Sequence, residues 1–130
     1  MSVYMDSGSY TYELIKQGLD TANMRTKAIA NNITNANTKD YKKYNISFED
    51  TLTDVSSELR RNGRVELSKK EIGSIEMKKD TTTSMSANGN NVDLEVEKTN
   101  QAANTLLYNA LIGKANSKLS TKKYIISGGR

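Results

Sequence analysis

The sequence predicts a mainly α protein. Two long amphipathic helices at the chain ends pack as a coiled-coil-like hairpin, with a small irregular insert containing some β structure between them. Three observations carry this expectation. Apolar and small residues recur at alternating spacings of four and three over two long stretches near the termini. The stretch between them holds only short, broken patterns. No apolar run approaches the roughly 18 residues that a bilayer-spanning helix needs. At 130 residues the chain is one domain's worth, divided as an N-terminal helix with an asparagine-rich turn (1–47), a middle insert (48–90) and a C-terminal helix (91–130).

The first helix is expected over residues 10–36. Ile15, Leu19, Ala22, Thr26, Ile29, Ile33 and Ala36 form its seam, widened by Leu14 and Gly18. Such a helix would extend roughly 40 Å. Its end is unusual, because Asn31, Asn32, Asn35 and Asn37 fall within seven residues. Asparagine favours caps and turns, since its short amide competes for nearby backbone groups. Ile29, Ile33 and Ala36 carry the seam through this stretch, so the amides are expected on the other faces and in the exit turn.

In the insert, residues 47–62 are expected as a shorter helix. Ser47 and Asp50 form its capping box, Phe48, Leu52, Val55 and Leu59 share a face, and Gly63 stops it. Residues 64–68 alternate as a weak strand, with residues 72–77 as its partner. Residues 84–91, SMSANGNN, have the composition of a flexible linker.

The second helix is expected over residues 92–126, with Asn90 or Asn91 as its cap. Val92, Val96, Thr99, Ala103, Leu106, Ala110, Gly113 and Ser117 form its seam, broadened by Leu107, Leu111, Ile112, Ala115 and Leu119. Asp93, Glu95 and Glu97 sit early, and Lys114, Lys118, Lys122 and Lys123 sit late, an order that suits the helix dipole. Gly128 and Gly129 end it.

Composition excludes much chemistry. Hydrophobic residues make up 35% of the chain, with one Phe and no Trp, too few for a thick core of its own. Seams rich in Ala, Gly, Ser and Thr bury little area per residue. The apolar faces are also wider than one two-helix contact needs, so association with similar chains is expected. Cys and His are both absent. That removes thiol nucleophiles, disulfides, Cys/His metal sites and the commonest general base. The net charge of +4 is spread among 15 acidic residues, which suits a solvated surface better than a nucleic-acid patch. The N-terminus MSVYMDSGSY has no apolar core of a cleaved signal.

The remaining motifs are weak. Asn32-Ile33-Thr34 and Asn45-Ile46-Ser47 match the glycosylation pattern, which means little without a secretory signal. Asp93, Glu95 and Glu97 are two apart and do not converge on a helix. Asn88, Asn90, Asp93 and Glu95 do not follow a calcium loop. Gly128-Gly129-Arg130 has no following helix and is no phosphate loop. Tyr41-Lys42-Lys43-Tyr44 is too short for a nucleic-acid strip. No nucleophile is paired with a base, so no enzyme activity, cofactor, metal or small-molecule substrate is expected.

Residues 28–38, AIANNITNANT, followed by Tyr41-Lys42, resemble the N-terminal signature of bacterial flagellar axial proteins, approximately NNIANANTPGYK after a long amphipathic helix. Thr34 stands where Ala is usual, and Lys39-Asp40 replaces Pro-Gly, which predicts a looser turn. Asn91-Val92-Asp93-Leu94-Glu95 is similar to the segment that opens the C-terminal helix of rod proteins. Leu106, Tyr108, Ala110 and Leu111, residues 118–121 and residues 124–126 resemble the end of the short proximal rod proteins, and the run Ile46-Ser47-Phe48 resembles their sequence just after the asparagine motif.

The resemblance covers both ends and little of residues 56–84. It implies a structural subunit of the proximal rod, the drive shaft crossing the periplasm. Such a subunit leaves the cytoplasm through the flagellar type III export apparatus without a cleaved signal. Its implied partners are copies of itself, other rod subunits, and MS-ring and export-gate components at the rod base. Ile15, Leu19, Ile29, Ile33, Val92, Val96, Leu106, Ala110 and Leu111 are the expected packing and assembly positions. Asn31, Asn32, Asn35, Asn37 and Tyr41 are expected to hold the helix-end turn or a neighbouring subunit. Phe48 and Leu52 resemble the family's export-recognition pattern. Another short rod subunit is the nearest alternative. A cytoplasmic helical adaptor or export chaperone is more distant, because such chaperones are usually acidic.

Overall fold

The computed structural model describes residues 3–5, 7–48, 60–61, 65–67, 75–84 and 86–130. Six elements follow in order: β1 (Val3–Met5), α1 (Ser7–Thr34), β2 (Tyr44–Ser47), β3 (Val65–Leu67), β4 (Glu76–Lys79) and α2 (Leu94–Ile126). The two long helices pack together, and the protein is mainly helical. Among the described residues no helix is long and apolar enough to cross a membrane.

The helices run antiparallel, as four contacts along their length show. Lys118 Nζ donates to the Gly8 carbonyl at 2.9 Å, and Leu111 lies against Gly18. Asn104 Nδ2 donates to the Ala22 carbonyl at 2.9 Å, and Asn32 Nδ2 to Glu97 Oε2 at 3.2 Å. A Cβ on Gly18 would sit 3.0 Å from a Leu111 methyl, so the glycine gives that leucine its place. Asn90, Glu97, Asn104, Leu111 and Lys118 are successive heptad positions, and each touches α1 or its exit turn. This seam corrects the expected one. Val96 and Leu106 are 45% and 72% exposed, and Thr99 and Ala110 are exposed too. The apolar stripe read from the sequence lies beside the α1 contact, whose seam is largely polar.

The core is thin. Tyr10, Ile15, Ala22, Ala28, Ile29, Ile46 and Phe48 are its buried hydrophobic residues among those described. The last two come from β2 and the residue after it, and β2 packs against α1.

The strands pair in two antiparallel ribbons. β1 pairs with β3, Val3 opposite Leu67. β2 pairs with β4, Tyr44 opposite Lys79 and Ile46 opposite Met77. The expected local pairing of residues 64–68 with 72–77 is therefore replaced by two longer-range pairings. Ser47 closes β2; of the short helix expected after it, residues 49–59 and 62 lie outside the described residues, whereas 60–61 are helical.

The helix ends follow local chemistry. Asp93 is the N-cap of α2, in place of the expected Asn90 or Asn91; its Oδ1 accepts from the backbone N–H groups of Glu95 at 3.0 Å and Val96 at 3.2 Å. Glu95 and Glu97 then face the positive end of the helix dipole. At the C-terminus the Gly128 and Gly129 N–H groups donate to the Ile125 and Tyr124 carbonyls. Both glycines have positive φ, which closes the helix as expected.

Candidate functional site

The end of α1, the start of α2 and the β2–β4 ribbon meet in one hydrogen-bonded joint. Its centre is Asn32, 1% exposed. Its Nδ2 donates to the Tyr44 carbonyl at 2.9 Å and to Glu97 Oε2 at 3.2 Å. Its Oδ1 accepts from the Tyr44 N–H at 2.9 Å and the Tyr41 hydroxyl at 3.1 Å. Two donors and two acceptors are the whole capacity of a primary amide, and all four are used. Toward Tyr44 the side chain acts as a peptide group would, exchanging a donor and an acceptor with one residue of β2. The amides were expected off the apolar seam and in the exit turn; this one lies between the helices, while Asn31 and Asn37 are exposed.

A second asparagine closes the other side. Asn90, 3% exposed, donates through Nδ2 to the carbonyls of Asn35 and Thr38, both at 2.8 Å. These carbonyls lie where α1 has just ended and would otherwise lack side-chain partners. Asn35 supports the same exit, its Nδ2 reaching back to the Asn31 carbonyl at 2.8 Å. Asn91 ties in the ribbon. Its Oδ1 accepts from the Lys43 N–H at 2.8 Å and its Nδ2 donates to the Asp80 carbonyl at 3.0 Å.

The segment expected as a linker is built from the same chemistry. The N–H groups of Ser86, Asn90 and Val92 donate to the side chains of Ser84, Asn88 and Asn90, each two residues earlier. These are Asx- and Ser-type turns, and they order the segment. Ser84 Oγ also donates to the Asn90 carbonyl. Asp40 N–H donates to the Asn88 carbonyl at 2.9 Å, and Lys42 Nζ to the Gly89 carbonyl at 2.7 Å.

The Lys39-Asp40 turn is thereby tied to residues 88–89. Asp40 adopts φ 57°, a left-handed conformation that Asp tolerates better than most residues. Gly89, at φ 78°, faces it: a Cβ there would lie 2.3 Å from Asp40 Oδ1.

Burial and hydrogen bonding each shift one group near the joint. Desolvation raises the Tyr41 hydroxyl pKa above the usual tyrosine value, helped by Tyr44 and the Glu97 charge. Tyr41 and Tyr44 also meet edge-on, with ring centroids 6.4 Å apart. The Thr82 backbone N–H, 2.9 Å from Asp80 Oδ1, lowers the Asp80 pKa; the Thr82 side chain and Lys43 add to this.

The remaining expected positions divide by exposure. Ile15 and Ile29 are buried, and Leu19, Ile33, Val92 and Leu111 are half-buried. Val96, Leu106 and Ala110 are exposed. Phe48 is 4% exposed, and Leu52 lies outside the described residues. Sequence reasoning did not single out Glu97, Asn90 and Asn104 as interhelical contacts. The seven-residue spacing of Asn90, Glu97 and Asn104 was the signal available for them.

The two segments that resembled flagellar signatures, residues 28–38 with Tyr41-Lys42 and residues 91–95, therefore lie on the two sides of one joint. No family model matches the chain. It is 32% identical, over 131 aligned positions, to the flagellar basal body rod protein FlgB of Bacillus subtilis (strain 168). The alignment covers 94% of this chain and 97% of that relative, enough to span both halves of the joint and most of each helix. The chain belongs to the FlgB family of flagellar basal-body rod proteins.

Proposed function

We propose that the chain is a structural subunit of the flagellar proximal rod, exported through the flagellar type III apparatus and assembled helically into the torque-transmitting shaft. The near full-length likeness to FlgB carries this reading. The outer side of α2 supports it. Leu106, Tyr124, Ile125 and Ile126 are 72%, 62%, 70% and 76% exposed. Large apolar side chains left in water along one helix favour contact with further helices. Contacts of one face with a different face, repeated by a rotation that does not close, build a tube. In that tube Val96, Leu106 and Ala110 serve as packing positions between subunits, while the asparagine joint holds each subunit's own two helices together. Other rod subunits and the MS-ring and export-gate components at the rod base are the proposed partners, and the basal-body rod in the periplasm the proposed location.

Phe48 and Leu52 are proposed for export recognition. Because Phe48 is buried in the folded chain, recognition there requires the chain to be unfolded first. Deleting the gene tests the whole reading. Loss of rods and motility is expected, as is retention of the protein inside cells that lack type III export. Normal basal bodies in the deletion strain would reject it.

A further inference from the structure

A groove of about 400 Å³ opens between α1, α2 and β2 beside the asparagine joint. Arg25, Ile46, Glu97, Asn100, Asn104 and Leu107 are among its lining residues. Two buried acceptors belong to it. Glu97 is 2% exposed, and Asn32 is the one hydrogen-bond donor to its carboxylate among the described residues. Asn104 is 7% exposed; its Nδ2 is bound to Ala22 and Thr26, and its Oδ1 has no partner among the described residues. A buried carboxylate and an orphan carbonyl are both unfavourable unless a donor reaches them. The nearby cations are engaged elsewhere. Arg25 donates to the Ile46 carbonyl at 3.3 Å, and Lys98 pairs with Glu95 at 3.9 Å.

The charge layout of α2 points to the missing donor. Residues 98–130 hold no Asp or Glu; their cations are Lys98, already paired with Glu95, and Lys114, Lys118, Lys122, Lys123 and Arg130. One end of α2 thus carries buried negative charge and the other exposed positive charge, separated by most of a 33-residue helix. We propose that the groove receives a lysine side chain from the C-terminal turns of α2 of a second copy, in a head-to-tail contact. This rests on the rod-subunit reading and specifies one contact within it. The ammonium group brings three donors to the Glu97 carboxylate and the Asn104 carbonyl, and its aliphatic stem lies along Leu107. A contact between opposite ends of two copies leaves a free groove at one end and free lysines at the other, so it propagates.

The absence of cysteine makes a clean test possible. Asn100→Cys is placed on one tagged copy and Lys122→Cys or Lys123→Cys on a differently tagged copy, and the mixture is oxidised under conditions where sedimentation shows association. The expected product is a disulfide between the two tags. Only symmetric 100–100 or 122–122 links, or no links despite association, would overturn the proposal. In parallel, Glu97→Gln keeps an acceptor for Asn32 and removes the charge. Self-association should weaken by about tenfold and lose salt dependence, while Glu95→Gln, altering an exposed carboxylate, leaves it unchanged. Equal effects of the two would overturn the groove assignment, and if Glu97→Gln fails to fold, the cysteine pair decides. Normal rods and motility with Glu97→Gln, without a 100–122 or 100–123 link, would sink this contact alone. Normal basal bodies without the gene would sink the rod reading beneath it.

Discussion

Asn32 and Leu106 lie on the two helices of one hairpin and have opposite surroundings. The polar amide is 1% exposed with all four hydrogen bonds made, and the large apolar side chain is 72% exposed. The difference extends to whole regions. Around Asn32 the end of α1 and the start of α2 are joined by Asn90, Asn91, Tyr41 and Glu97 through bonds that depend on angle as well as distance. From Leu106 to Ile126 apolar surface remains available, and apolar association tolerates many geometries. Directional bonds suit a joint that must form the same way in every subunit. Non-directional surface suits contacts completed only when neighbours arrive.

The contrast can be broken most severely at its centre. Asn32→Leu removes the amide and strands the Tyr44 backbone and the Glu97 carboxylate; urea denaturation should show a loss of about 3–5 kcal/mol. A loss below about 1 kcal/mol would mean that water replaces the amide at little cost. Next is Gly89→Ala, which combines an unfavourable φ with a Cβ set against Asp40. The expected loss is about 1–3 kcal/mol, and Asp40→Gly in the same chain should recover part of it by removing the opposing carboxylate.

Leu106→Ser should fall at the other extreme, changing subunit stability by no more than about 0.5 kcal/mol while reducing rod assembly in a complementation assay. The smallest effect concerns pH. Tyr41 holds its proton to higher pH when folded than when unfolded, so the unfolded chain ionises first. Stability is then full below the ordinary tyrosine value of 10.0 and falls as pH rises through it. Urea midpoints on either side of that pH, compared with those of Tyr41→Phe, would isolate the contribution.

The helices were legible in the sequence because long four-three periodicity and terminal glycines are local signals. The face that α2 turns to α1 was not. Hydrophobic periodicity selects Val96, Ala103 and Leu106, whereas the contact passes through Glu97, Asn104 and Leu111, two of which are polar and bind α1 through hydrogen bonds. The strand pairings were also hidden. The local partner for residues 64–68 was the simplest choice, but β3 pairs with β1 and β4 with β2, and such long-range choices depend on where the helices place the insert. The composition of residues 84–91 suggested flexibility because Ser, Asn and Gly occur in linkers and in hydrogen-bonded turns alike. Their role emerges only when Asn35, Thr38 and Asp40 stand opposite. The asparagine motif was identifiable from residue order, but the partner of Asn32, Glu97, lies 65 residues away.

Residue-resolved hydrogen exchange on the free and assembled protein tests the division between joint and assembly surface most directly. In the free subunit the N–H groups of Lys43, Tyr44 and Val92, each bonded to an asparagine side chain, should be more protected than those of α2 beyond Leu106. Assembly should raise protection chiefly in that distal part. Equal protection of the two regions in the free subunit, or a gain on assembly confined to the joint, would contradict the account.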